Sequence, residues 1–201
     1  MKVIRTLMIA SLLAGLGAAP AHAAAPTAAP AAAPAKGAFQ RDLLGVFSDA
    51  QKKSIDLLEA FLQNKLDWRP APGVRSVAEV FLHIAFGNYA MVQLTTGKAP
   101  PAEVGFEMNP AKWDKKTKDK AEIKKILETS YAHVHAAVGA LPDADLDKMV
   151  NFFGHDLTTR AVFIILNGHL NEHLGQAIAY ARSNKVVPPW SKDEHHMPEK
   201  K

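Results

Sequence analysis

Apolar residues recur at helical spacing in four separate segments of this 201-residue chain, and this pattern restricts the fold more than any other feature. The first three segments cover about residues 39–66, 76–97 and 119–141, and the fourth covers about residues 158–184. No stretch of useful length alternates apolar and polar residues, as a half-buried strand would. We therefore expect an all-α four-helix bundle over residues 39–191, without a β-sheet.

The ends of these segments carry recognisable start and stop signals. Ser76 stands where an N-cap is expected, and Glu79 follows three residues later, which is the spacing of a capping box. Prolines and a glycine follow the first segment, and Pro142 follows the third. Residues 98–118 contain three prolines. A connection of this length is uncommon in a bundle and indicates a crossover or a functional loop between the second and third helices.

The N-terminal 23 residues have the features of an export signal. Basic residues precede an apolar run at 7–19, and an Ala-His-Ala motif ends at Ala23. The apolar run is shorter than the roughly 20 residues that a membrane-spanning helix needs. We therefore expect residues 1–23 to be a signal peptide that is cleaved after Ala23. The mature protein would then be periplasmic or secreted, without a stable membrane anchor.

The remaining composition restricts the partners and the chemistry. Residues 24–38 are rich in alanine and proline and are typical of an extended tether, whereas residues 192–201 form a charged tail. The net charge of +4 falls to +2 without the two basic residues of the signal, so we expect no nucleic-acid partner. Because the chain has no cysteine, any metal ligand must be nitrogen or oxygen.

Three histidines form the main candidate site. His169 and His173 lie four residues apart in the fourth segment, on the face that carries most of its apolar residues. Two such imidazoles can converge on one metal ion, or each can be a core histidine that is satisfied by a hydrogen bond. His83 lies at the edge of the apolar face of the second segment, where Gly87 and Ala90 would let another helix approach closely. A divalent ion would satisfy all three rings at once.

Acidic residues near these histidines are few. Glu172 flanks His169 and is the one candidate catalytic residue, although the sequence alone leaves the catalytic group unknown. Glu79 lies one turn before His83. Either glutamate could be a hydrogen-bond partner, a general base or a solvated surface residue. Residues 112–125 alternate lysines with acids such as Asp114, which is typical of a solvated face.

Three stretches of the chain resemble the DinB/YfiT-like superfamily. They are WRPAPGVRSVAEVFLHIAFGNY at 68–89, GHLNEHLGQAIAYAR at 168–182 and NKVVPPWS at 184–191. The second is the most specific, because the final helix of that family carries His-x-x-x-His followed by Leu-Gly-Gln. With the helical frame, the resemblance covers about residues 40–191, which is nearly the whole mature chain.

This resemblance implies a divalent metal ion, zinc or nickel in most cases, held by His83, His169 and His173. It implies no other cofactor, and because its members frequently form dimers, it makes a homodimer possible here. Characterised relatives include enzymes that act with small thiols. Three protein ligands would leave positions on the ion open for water or substrate, so we expect an exported metal-dependent hydrolase or transferase that acts on an unknown small-molecule substrate. A non-catalytic metal- or ligand-binding envelope protein and a metal-free bundle that works through partner contacts are the alternatives.

Overall fold

Four long helices form the frame of the molecule in the computed structural model, which describes residues 37–191. The predicted signal peptide, most of the tether and the charged tail lie outside the described residues. The helices and strands are α1 (Ala38–Ala60), α2 (Val77–Thr96), α3 (Pro110–Trp113), α4 (Lys120–Ala140), β1 (Met149–Phe152), β2 (His155–Thr158) and α5 (Thr159–Ser183). Short 3-10 turns lie at Gln63–Lys65, Ala102–Val104, Asp143–Asp145 and Pro189–Ser191.

Helices that follow each other in the sequence do not always pack together in this bundle. Helix α2 packs against α4 and α5, and α1 packs against the same two helices. Helices α1 and α2 therefore face each other across a diagonal of the bundle, and so do α4 and α5. The connections α1–α2 and α4–α5 must cross an end of the bundle, which explains why neither is a tight turn.

The core contains a fully buried aromatic residue from each long helix, and α2 is the most buried of the four. The aromatic residues are Phe47, Phe81, Tyr131 and Phe163. By length and mean hydropathy (1.2), α2 would also suit a membrane span, but 72% of its apolar window is buried inside the bundle. The hydrophobicity of α2 is accounted for by packing against α4 and α5. The predicted all-α fold class is confirmed.

The first helix is shorter than the sequence predicted. It ends at Ala60 rather than near residue 66, and a 3-10 turn follows at Gln63–Lys65. Phe61 adopts an extended backbone conformation (φ −74°, ψ 141°), and its fully buried ring packs edge-to-face on Phe81 of α2. Leu62 then points outward and is 65% exposed. Burial of Phe61 thus outweighs continuation of the helical pattern.

The limits of the second helix agree closely with the prediction from its caps. The Ser76 hydroxyl accepts the backbone N–H of Glu79 (3.3 Å), and the Glu79 carboxylate accepts the backbone N–H of Ser76 (2.8 Å). At the other end, Gly97 closes the helix in the left-handed conformation with φ +72°. These caps fix where α2 begins and ends, and therefore the position of His83 along the helix.

A small β-hairpin contradicts the expectation that the chain would contain no sheet. Strands β1 and β2 pair antiparallel between α4 and α5, with Met149 opposite Thr158. Phe153 and Gly154 form the two-residue turn, and both have positive φ (+51° and +87°), as a type I′ turn requires. Each strand has only four residues. They are too short to show a clear alternation in the sequence, and this explains why the prediction was wrong.

The long connection between α2 and α4 is confirmed, and it is anchored against α2. Its short helix α3 ends at Trp113, whose buried indole donates a hydrogen bond from Nε1 to the backbone carbonyl of Leu82 (2.9 Å). Trp113 also contacts the rings of Tyr89 and Phe106. The connection therefore lies along the part of α2 that carries His83.

Replacing Ser76 by alanine tests the cap of α2. The Ser76→Ala variant loses the hydroxyl that accepts the Glu79 N–H, and we expect the free energy of unfolding to fall by about 1 kcal/mol. Chemical denaturation measures this difference. Ser48→Ala is the matched control, because Ser48 is exposed in the interior of α1 and caps no helix. Equal stability of the two variants would contradict the role of Ser76.

Candidate metal centre

The three predicted histidines meet between α2 and α5. Their potential metal-binding atoms all lie within 4.8 Å of one another. The ring of His83 on α2 is centred 5.2 Å from that of His169 and 4.6 Å from that of His173. The two rings on α5 are 4.5 Å apart. Three nitrogen donors from two helices therefore surround one point.

A buried carboxylate orients the first of these rings. His83 Nδ1 lies 3.1 Å from Asp114 Oδ1, and because an ionised carboxylate only accepts, the imidazole is the donor. Asp114 is only 6% exposed, and its other oxygen accepts a hydrogen bond from Arg75 Nε (2.7 Å). The His83 side chain itself is 12% exposed. This arrangement leaves His83 Nε2 as the available metal-binding atom.

The second ring is oriented by polar groups of its own helix. His173 Nδ1 lies 3.0 Å from Gln176 Oε1, which accepts the ring N–H. The amide of Gln176 donates in turn to the hydroxyl of Tyr180 (2.9 Å). Tyr180 is held by an edge-to-face contact with the ring of Trp68. His173 is thereby fixed with its Nε2 atom available, as in His83.

The third ring fills a gap in the surface of α2. His169 Nε2 is buried and has no hydrogen-bond partner among the described residues. A Cβ placed on Gly87 would lie 2.3 Å from this nitrogen, well inside contact distance. The absence of a side chain at Gly87 therefore creates the space that His169 occupies. This agrees with the close helix approach that the sequence predicted there.

Burial keeps the rings of α5 neutral. Desolvation, reinforced by the neighbouring His173 and His83 rings, lowers the pKa of His169 to about 4. A backbone hydrogen bond with His83 opposes this shift in part. Desolvation also lowers the pKa of His173, and the hydrogen bond with Gln176 acts in the opposite direction. Neutral imidazole is the form that binds a metal ion.

The donor set and its surroundings fit a divalent cation. Each of the three histidines offers one ring nitrogen within 4.8 Å of the others. The buried Nε2 of His169 has no hydrogen-bond partner among the described residues, which is costly in the absence of a ligand. The other nitrogen of His83 and of His173 is held by an outer hydrogen bond, as is usual for metal-binding histidines. Three protein donors also leave coordination positions for another molecule.

The structure separates the predicted acidic residues from the histidines. Glu172 is exposed on α5, and no hydrogen bond to the histidines is found for it within residues 37–191. Glu79 instead caps α2 and pairs with Arg69. The carboxylate that does contact the cluster is Asp114, for which the sequence predicted a solvated position. The sequence feature that could have indicated this position is Trp113, the one aromatic residue in the lysine-rich stretch. Because Trp113 is buried, the adjacent Asp114 is buried as well.

Comparison with protein families identifies the chain. Residues 47–177 match the DinB superfamily, which is well over half of the chain. The chain belongs to the DinB superfamily. The resemblance predicted from the histidine motifs is therefore confirmed, and DinB membership accounts for the helical frame. No curated protein matches the chain.

Solved structures of DinB-like proteins share this fold. A DinB-like protein from Bacillus cereus superposes with a TM-score of 0.64 at 19% identity, with 74% of this chain and 95% of that chain covered. A DinB-like protein from Bacillus subtilis gives 0.57 at 18% identity, with 73% and 94% covered. A conserved protein from Enterococcus faecalis gives 0.61 at 14% identity, with 73% and 97% covered. At these identities the likeness concerns the fold.

Replacing Gly87 by alanine tests the packing of the DinB histidine cluster. The added methyl group would overlap His169 Nε2, so the flexible ring must rotate out of the cluster. We expect affinity for a divalent ion to fall by about tenfold or more, as when a supporting residue is lost. Stability should change by no more than about 1 kcal/mol, because alanine is the better helix former. Calorimetric titration with zinc measures the affinity.

Gly168→Ala is the matched control for this variant. Gly168 lies in α5 directly before His169, and a Cβ there meets nothing within 4 Å. Its metal affinity should equal that of the unmodified protein. Equal affinities of the Gly87→Ala and Gly168→Ala proteins would show that the close approach at Gly87 does not position the ring.

The lowered pKa of His169 predicts an acid-sensitive metal-free fold. The unfolded ring takes up a proton near pH 6.5, whereas the folded ring resists protonation until about pH 4. The unfolded state therefore binds more protons in this window, and the free energy of unfolding should decrease as the pH falls from 6.5 to 4. Urea titrations of chelator-treated protein at several pH values measure this slope.

Replacing His169 by glutamine separates its contribution to the pH dependence of stability from those of other groups. His169→Gln should reduce the slope between pH 6.5 and 4, because the contribution of His169 is lost while that of His173 remains. His155→Gln, in the exposed part of β2, should leave the slope unchanged. Parallel profiles for the unmodified protein and the His169→Gln variant would refute the assignment.

Proposed function

We propose that this DinB protein binds one divalent metal ion, zinc or nickel, through His83, His169 and His173. We further propose that it is an exported hydrolase or transferase that acts on a small-molecule substrate beside this ion. The observation that carries the proposal is the convergence of one ring nitrogen from each of the three histidines within 4.8 Å of the others. Export is supported by the signal-like composition of residues 1–23.

The residues around the site hold its donors in place. Asp114 and Gln176 accept the Nδ1 protons of His83 and His173, so that each ring presents an unprotonated Nε2 to the centre. Gly87 admits the ring of His169 from the other side. When bound, an ion of this type supplies Lewis acidity toward a carbonyl or phosphoryl oxygen of a substrate.

A non-catalytic binding role is the second candidate, and one specific observation favours it. Asp114 is the carboxylate that contacts the histidines within the described residues, and both of its oxygens are already engaged by His83 and Arg75. No other carboxylate of the described chain forms a hydrogen bond with these rings. A protein that holds a metal ion or a ligand in the cell envelope would need no general base at this position.

Metal content tests the proposal directly. Mature protein purified from its native compartment should contain about one divalent ion per chain, and His169→Ala should lose it because two donors remain. Elemental analysis by plasma mass spectrometry measures both. His155→Ala is the control, since this exposed histidine lies on the hairpin. Absence of stoichiometric metal in the unmodified protein, or equal content in His169→Ala, would overturn the proposal.

Activity distinguishes the two candidate functions. Metal-loaded protein should be screened against panels of esters, amides and phosphate esters, and in transfer assays. Turnover that disappears after chelation and in His83→Ala identifies the enzyme. Stoichiometric metal without turnover on any panel identifies the binding protein, because the same site is then occupied without chemistry.

A further inference from the structure

A cavity of about 550 Å³ lies against the outer contacts of the histidine cluster. Two of its wall residues, Asp114 and Gln176, are those that orient His83 and His173. Its other ionisable wall residues are Arg69, Arg75, Glu79 and Lys115. Three cationic side chains thus face two carboxylates, which gives the cavity a net charge of +1.

Both carboxylates of the cavity are already neutralised. Arg69 binds the two oxygens of Glu79 through its two terminal nitrogens (3.0 and 3.1 Å), and the Ser76 N–H also donates to this carboxylate. Asp114 is held by Arg75 Nε and by the ring of His83. The pair Arg69–Glu79 therefore contributes no net charge, and Nη1 of Arg69 also donates to the backbone carbonyl of Val74 (2.6 Å).

Two cationic groups remain available. Arg75 uses only Nε for Asp114, and its two terminal Nη groups have no hydrogen-bond partner among the described residues. Its side chain is 35% exposed, so these groups are accessible from the cavity. The ammonium group of exposed Lys115 likewise forms neither an ion pair nor a hydrogen bond within residues 37–191. A planar fork and a mobile ammonium together suit a carboxylate or a phosphate.

We propose that this cavity binds the carboxylate or phosphate group of a small anionic substrate, through the Arg75 fork and Lys115. This proposal rests on the proposed function, because it assigns the substrate of the metal centre to an anionic class. Asp114 joins the two sites, because one of its oxygens binds Arg75 and the other binds His83. An anion bound to Arg75 would therefore be connected to the histidine cluster through the carboxylate of Asp114 alone.

Anion titration of the mature protein as purified tests the proposal. Inorganic phosphate, acetate and neutral acetamide are added at low ionic strength, and binding is followed by calorimetry with metal content measured on the same samples. Phosphate and acetate should bind saturably, and acetamide should not. The tighter of the two anions identifies the group that the substrate carries. The proposal is overturned if neither phosphate nor acetate shows saturable binding.

Three variants locate the bound anion. Arg75→Gln and Lys115→Gln should each weaken anion binding by about tenfold, the loss expected for a charged hydrogen bond. Lys112→Gln is the matched control, because Lys112 lies on the same short segment but pairs with Glu107 outside the cavity. Equal weakening of anion binding in Lys112→Gln would show that anions are attracted by the overall positive charge, and it would overturn the proposed site. Lys115 is exposed, so its variant should fold normally.

Anion binding to the metal itself is distinguished by His169→Ala. Binding that persists in this variant and is weakened by Lys115→Gln supports the cavity. Binding that is lost in His169→Ala but unaffected by Lys115→Gln overturns the cavity proposal and leaves the metal site standing. Conversely, unmodified protein that contains no metal as purified but binds anions through Arg75 and Lys115 supports the cavity and refutes the proposed function.

Discussion

The close approach of α2 and α5 at Gly87 is the contact on which the candidate site depends. A side chain at this position would occupy the volume that the His169 ring fills, and the ring would have to leave the cluster. With the ring in place, His169 lies beside His83 and His173, and each residue offers one ring nitrogen within 4.8 Å of the others. The diagonal arrangement of the bundle brings α2 and α5 together, although they are far apart in the chain.

Around this contact, the polar residues form two layers. The inner layer consists of the three imidazoles, and the outer layer of Asp114 and Gln176, which fix two of the rings. Arg75 extends the outer layer to the cavity, because it binds Asp114 through Nε and forms part of the cavity wall. Arg75, Asp114 and Gln176 each have a hydrogen-bond partner, whereas the buried Nε2 of His169 has none among the described residues.

Membership of the DinB superfamily and the three-histidine geometry together favour a metal-binding protein, whereas the chemistry depends on groups outside the cluster. Engagement of Asp114 by two partners removes the nearest base from such chemistry. An anionic substrate held by Arg75 and Lys115 would give the proposed enzyme its selectivity through charge. In an exported protein, such a substrate would be met in the cell envelope or outside the cell.

Local patterns in the sequence predict most of the elements: the four long helices, the caps of α2, the long connection and the three histidines. Helical period and caps are local because they depend on residues within a few positions of each other. The end of α1 at Phe61 and the contact of Asp114 with His83 depend on burial against distant parts of the chain, which no local pattern encodes. The hairpin is local, but its strands have four residues each and are too short to show a clear alternation.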